Sequence, residues 1–208
     1  MGETRAVVIV QGGRVVFEKG YGLSNIAAAR PASPDTQFYI ASNSKAFTAM
    51  AIMMLAERGK LSYEDPLTRF FPEFPRYAKQ ITVRHLLHHT SGIRDYAEFF
   101  DDSTARPGQT SPLLLRALAQ QSSPVFAPGQ KYEYSNSGYF LLAMIADKVA
   151  GKPLPEFIDE NIFAPLAMKH SFVTAERKLS WPDLATPYVL EKGKYRDARF
   201  GDNPIDLT

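Results

Sequence analysis

Two short extended runs open the chain, Ala6 to Val10 and Val15 to Glu18, separated by Gln11, Gly12, Gly13 and Arg14. Paired glycines supply the positive φ of a tight turn, so this pattern predicts a β-hairpin. A loop rich in Gly, Pro, Ser and Asp follows from Gly20 to Asp35, and then a short extended stretch from Gln37 to Ile40. Residues 49 to 59, AMAIMMLAERG, are apolar almost all the way round. They predict a buried helix that begins near Ser42 and stops at Gly59. Met50, Met53 and Met54 within it read as core packing rather than as a ligand-binding stripe.

Beyond Gly59 the pattern is helical in short, proline-punctuated segments. Thr82 is the expected cap of VRHLLHH, and Ser111 with Pro112 starts LLLRALAQQ. Ser137 is the expected cap of GYFLLAMIADKVA, which Gly151 ends, and Pro153 or Pro155 opens EFIDENIF. The tail, Trp181 to Thr208, shows weak strand character around Ala185 to Leu190 and Lys194 to Arg196. A lone hairpin is marginal in water, so its strands call for helices or further strands to cover them.

Composition narrows the function classes. With 208 residues, 45% hydrophobic and 22% charged, the chain has the means to build a sizeable core and no signature of disorder. Its 24 basic and 22 acidic residues are dispersed, giving a net charge of +2 and no basic stripe for nucleic acid. The absence of cysteine removes thiolate catalysis, disulfides and zinc-thiolate sites. The apolar N-terminal run is too short for a signal-peptide core or a membrane span, so the sequence as it stands reads as cytoplasmic.

Two stretches carry candidate chemistry. In IASNSKAFT, residues 40 to 48, Lys45 follows Ser42 by three positions, which places both side chains on one helical face. A desolvated amine there can accept the serine proton, and the free N–H groups of a helix start suit a developing oxyanion. The same serine is equally an ordinary N-cap. Ser-x-x-Lys arises by chance about once in a chain of this size. In YEYSNSGYF, residues 132 to 140, Tyr134 and Asn136 stand on a turn before a helix, where a phenol can share a proton with Lys45 and an amide can bond both Lys45 and a substrate carbonyl. An aromatic turn with a serine cap accounts for that stretch too. His85, His88 and His89 share helical spacing, but without HExxH or a suitably spaced carboxylate they read as a packed, hydrogen-bonded turn; no metal or cofactor is expected.

Four ordered motifs, ASNSKAFTA, ITVRHLLHHTSGI, FAPGQKYEYSNSGYFLLAMIADKVAGKP and IFAPLAMKHS, together resemble the serine β-lactamase-related family. That family includes class C β-lactamases, D-Ala-D-Ala carboxypeptidases and esterases with a β-lactamase fold. The resemblance implies an α/β (α+β) β-lactamase/transpeptidase-like domain, with a hairpin at 5–19, a helical lobe at about 42–175 and a tail at 176–208. It implies that Ser42 is the acylated nucleophile, Lys45 its proton partner, Tyr134 the base or shuttle, and Asn136 a substrate-orienting amide. The expected substrates are small esters, amides or β-lactams. Phe70, Phe71, Phe74 and the stretch from Tyr96 to Phe100 would border the cleft as an apolar rim, although loop aromatics otherwise pack inward.

The third motif of the family, Lys-Thr-Gly or a His-x-Gly relative on a late strand, has no match here: His170-Ser171-Phe172 lacks the glycine and the sequence ends at GDNPIDLT. The expectation is therefore a chain like the N-terminal portion of a longer enzyme, its sheet incomplete. It would need a homo-oligomer or a complementing C-terminal fragment to finish the site, or would act as a binding or oligomerising scaffold without turnover. Relatives are often periplasmic or secreted.

Overall fold

The computed structural model describes residues 4–100, 110–173 and 183–197. Trp181 and the end of the tail lie outside the described residues. The chain divides into two compact units. The first contains the described residues up to Ile40, Met168–Ser171 and the described part of Arg177–Asn203; the second contains Ala41–Ala167 and the described part of Phe172–Glu176.

The first unit is built from three two-stranded antiparallel sheets. Strands β1 (Arg5–Gln11) and β2 (Arg14–Tyr21) form the expected hairpin, with Arg5 opposite Tyr21 and Gln11 opposite Arg14. Gly12 and Gly13, at φ 58° and 76°, make the turn that side chains would disfavour. A register shift between Ile9 and Val10 marks a bulge. Val8, Ile9, Val10, Val15, Val16 and Phe17 are each at least 40% exposed.

Strands β3 (Leu23–Asn25) and β4 (Arg30–Pro31) close a tight corner. There the Arg30 Nε–H donates to Ser24 Oγ at 2.8 Å and its Nη2 to the Leu184 carbonyl at 2.8 Å. Strands β5 (Tyr188–Glu191) and β6 (Lys194–Asp197) pair as a second hairpin, close to where strand character was expected. The Tyr188 hydroxyl accepts from Ile26 N–H at 3.0 Å, and Asn25 Nδ2 donates to Thr186 Oγ1 at 3.1 Å. These bonds tie the late hairpin to the early corner.

The second unit is helical: α1 (Lys45–Glu57), α2 (Leu67–Phe70), α3 (Val83–Leu87), α4 (Thr110–Ala119), α5 (Asn136–Ala150) and α6 (Leu154–Ile158). Helix α5 is its axis and packs against α1, α3 and α6. Leu141, Leu142, Ile145 and Ala146 are fully buried at helical spacing, and Gly151 ends the helix in the left-handed conformation at φ 71°.

Helix α1 buries Thr48, Ala51, Ile52 and Leu55, again at i, i+3, i+4 and i+7, and Phe47 meets Phe163 edge to face at 5.3 Å. Met50 and Met53 are exposed and Met54 is half-buried, so the methionines are not the core expected of them. An all-apolar sequence does not bury every face; here only the stripe facing α5 and α6 is covered.

Capping follows the sequence in one helix and departs from it in another. Thr82 caps α3, with His85 taking the place usually held by Glu or Gln in a capping box: His85 N–H donates to Thr82 Oγ1 at 3.3 Å, and Thr82 N–H donates to His85 Nδ1 at 3.1 Å. The cap of α5 is Ser135, not Ser137: Ser135 Oγ accepts from Gly138 N–H at 3.1 Å. Ser137 is fully buried inside the first turn, donating to the Arg94 carbonyl at 2.9 Å and accepting from Tyr96 N–H at 2.8 Å.

The aromatic rim is also corrected. Phe70, Phe71, Phe74 and Tyr96 are all buried, and of that group Phe99 is exposed. Their payload of apolar area is larger inside the helical core than along a wet cleft.

Candidate active site

Ser42 lies in a short 3-10 turn, Ala41–Ser44, immediately before α1. The N-cap position of α1 belongs to Ser44, whose side chain makes no cap hydrogen bond. Ser42 is therefore not the cap of that helix, and its exposed Oγ is used differently. The Tyr134 hydroxyl donates to it at 2.7 Å and Lys45 Nζ at 3.2 Å.

Lys45 is the first residue of α1 and only 7% exposed. Its ammonium donates also to Asn136 Oδ1 at 3.0 Å and faces the rings of Tyr134 and Tyr139 at 5.1 and 5.7 Å. Two hydrogen bonds and two aromatic faces replace the water that burial removes. The structure thus brings together all four side chains that the sequence singled out: Ser42, Lys45, Tyr134 and Asn136.

Each reaches the cluster from a defined place. Ser42 and Lys45 come from the start of α1, Asn136 is the first residue of α5, and Tyr134 is the last but one before it. The loop carrying Tyr134 hangs on the turn after α3 through main-chain bonds. Val125 N–H donates to the Gly92 carbonyl, Gly129 N–H to that of Thr90, and Glu133 N–H to that of His89, each at 2.8 Å. Gly92 has φ 71°, and a Cβ there would stand 2.1 Å from the Phe126 carbonyl oxygen, so the close approach of the two loops requires glycine.

Two neighbours of the site had no signal in the sequence. Asp95 caps the 3-10 turn Tyr96–Glu98, accepting from Ala97 N–H at 3.0 Å, and its other oxygen accepts from Asn136 N–H. A carboxylate on the leading N–H of α5 satisfies an orphan donor and complements the helix dipole. His89, grouped with His85 and His88 as a packed turn, stacks on the Tyr134 ring at 4.6 Å, and Ser135 N–H donates to its Nδ1 at 3.1 Å. Nothing local in the sequence around His89 and Asp95 announces either contact, because the partners lie 41 to 46 residues away.

The electrostatics bias the cluster toward proton transfer. Partial burial pushes the Tyr134 phenol up, but the hydrogen bonds to Lys45 and Ser42 and the charge of Lys45 outweigh it, leaving the phenol below its ordinary value. Burial pushes the neighbouring Tyr139 up, which keeps it neutral.

Burial also pushes His89 below the ordinary imidazole value, reinforced by the Lys45 ammonium and weakly by His88, against the hydrogen bond with the Ser135 backbone and the charge of Asp95. An Nδ1 that accepts a hydrogen bond is in any case unprotonated. Because the folded ring resists protonation, the unfolded chain binds more protons below about pH 6.5. Stability from His89 is full above that value and falls as pH drops toward the lowered folded value. Urea midpoints are thus expected to decline more steeply between about pH 7 and pH 5 in the wild type than in His89→Asn. Parallel curves would refute this.

A mixed fold with a helical unit and small antiparallel sheets, holding Ser-x-x-Lys against Tyr-x-Asn, defines a β-lactamase/transpeptidase-like protein. The Beta-lactamase family model matches residues 4–204, and the chain belongs to this family. It is 35% identical to a penicillin-binding protein of Bacillus subtilis (strain 168) over 82% of its own length and 38% of that relative's. The chain thus spans well under half of that curated relative. Among solved structures, the octameric penicillin-binding protein homologue from Pyrococcus abyssi is similar at TM-score 0.78 and 37% identity, over 92% of this chain and 45% of that one. The D-amino acid amidase from Ochrobactrum anthropi SV3 complexed with L-phenylalanine is similar at TM-score 0.78 and 28% identity, over 98% and 56%.

Proposed function

We propose that the chain acts on small esters or amides through an acyl-enzyme on Ser42, and that simple esters are better substrates than β-lactams. The observation that carries this reading is the Ser42 Oγ held at once by Tyr134 at 2.7 Å and Lys45 at 3.2 Å, with Asn136 on the same ammonium at 3.0 Å.

Lys45 and Tyr134, both hydrogen-bonded to Ser42 Oγ, act as one proton-accepting pair. Short of one proton, the pair accepts the Ser42 hydroxyl proton as Oγ bonds to the substrate carbonyl carbon. The bond to the leaving alkoxide or amine then breaks, and the same proton passes to that group. Water attacks the acyl-enzyme next, giving its proton to the pair, and Ser42 recovers one as the acid departs. Asn136 orients the acyl chain and holds Lys45, and N–H groups at the helix start stabilise the oxyanion.

Turnover of p-nitrophenyl acetate, D-alanine p-nitroanilide and a chromogenic cephalosporin tests the reading, with the ester expected to be fastest. Faster cephalosporin hydrolysis would reverse the substrate order.

A second reading, a scaffold that self-associates and turns nothing over, is favoured by the apolar residues exposed on β1 and β2. The octameric homologue lends it support. Concentration-dependent mass in light scattering, together with no turnover of any of the three substrates, would establish it over the enzyme.

A further inference from the structure

His89 is left unused by the reaction just described, yet it contacts Tyr134 and both of its chain neighbours. Its ring stacks on the phenol ring, with centroids 4.6 Å apart and 30° between planes. Its carbonyl accepts from the residue before, Glu133 N–H, at 2.8 Å, and its Nδ1 accepts from the residue after, Ser135 N–H, at 3.1 Å. Tyr139 and Tyr132 flank the imidazole at 5.0 and 5.8 Å, which restricts the ring further.

The backbone adds an independent sign. His89 sits at φ 56°, in the left-handed region that few residues other than glycine occupy.

We infer that His89 is a positioning residue: it fixes the Tyr134 ring over its own and brackets the Tyr134 backbone, so that the phenol oxygen stays on Ser42. Its effect on the reaction rests on the reading of Tyr134 as proton carrier. Lys45, its Nζ 5.1 Å from the Tyr134 ring centroid, also holds the phenol, but through a long and rotatable side chain. The imidazole supplies a flat, rigid support.

The test reads Tyr134 without requiring catalysis. The tyrosinate absorbance of the wild type minus that of Tyr134→Phe reports the titration of this one phenol, expected below the ordinary tyrosine value of about 10. In His89→Ala the titration is expected to move up, as the phenol leaves Ser42 and Lys45. Acylation by an activated ester should fall about 10 to 10²-fold, in kcat rather than KM. His89→Asn, which tolerates positive φ and keeps an acceptor for Ser135 N–H, should restore part of both.

If His89→Ala does not fold by near-ultraviolet circular dichroism, His89→Asn decides, because it too lacks the stacked ring. An unmoved Tyr134 titration in the folded variant overturns the inference. A moved titration with unchanged acylation supports the positioning and overturns instead the reading of Tyr134 as proton carrier.

Discussion

Ser42→Ala is expected to lose all covalent labelling by a serine-reactive phosphonate, and separately by a penicillin, while the wild type gains a single adduct in intact-mass spectra. Ser42 is exposed, so a probe can reach it, and its Oγ is held by both Tyr134 and Lys45 through direct hydrogen bonds. Removing a nucleophile from a unit of this kind costs on the order of 10⁴-fold or more in rate. Stability should change little, because α1 is not capped through this oxygen. An adduct of equal yield in the variant would move the nucleophile elsewhere and leave Ser42 as a structural part of the turn.

Lys45→Ala should abolish acylation nearly as completely, by about 10² to 10⁴-fold, with the fold retained. The buried ammonium is the common partner of Ser42 and Asn136 and stands against two aromatic rings. Without it the phenol loses the charge that lowers it, and Ser42 Oγ loses one of its two hydrogen-bond donors. The packing face of α1 is formed by Thr48, Ala51, Ile52 and Leu55, none of which depends on the lysine. Removing a desolvated charge also relieves a cost of burial. Far-ultraviolet circular dichroism should therefore match the wild type while the phosphonate adduct disappears. Acylation at the wild-type rate would show that Ser-x-x-Lys is not the working pair.

What the sequence disclosed follows from how local each signal is. Gly12-Gly13 between apolar runs marked the first hairpin, Thr82 marked the start of α3, and Gly151 marked the end of α5, since turns and caps are decided within a few residues. Ser42, Lys45, Tyr134 and Asn136 were visible because short motifs preserve their spacing. The choice between Ser135 and Ser137 as cap was not visible, because both are serines before an apolar run and only the packing against Arg94 and Tyr96 draws Ser137 inward. Met50, Met53 and the aromatic residues around Phe71 were misplaced for a related reason: periodicity says that a face is apolar, not which neighbour will cover it. Asp95 and His89 act across more than forty residues, where no local pattern reaches.

The loop that delivers Tyr134 is attached to the turn after α3 by main-chain donors and acceptors from Val125 to Glu133. Such bonds are indifferent to what the side chains are. Outside Gly129 and Tyr132, whose ring flanks His89, exposed residues along this segment such as Val125 are free to be exchanged without unhooking the phenol. A lineage can thus redraw the surface of this loop while inheriting the same cluster of Ser42, Lys45, Tyr134 and Asn136 unchanged.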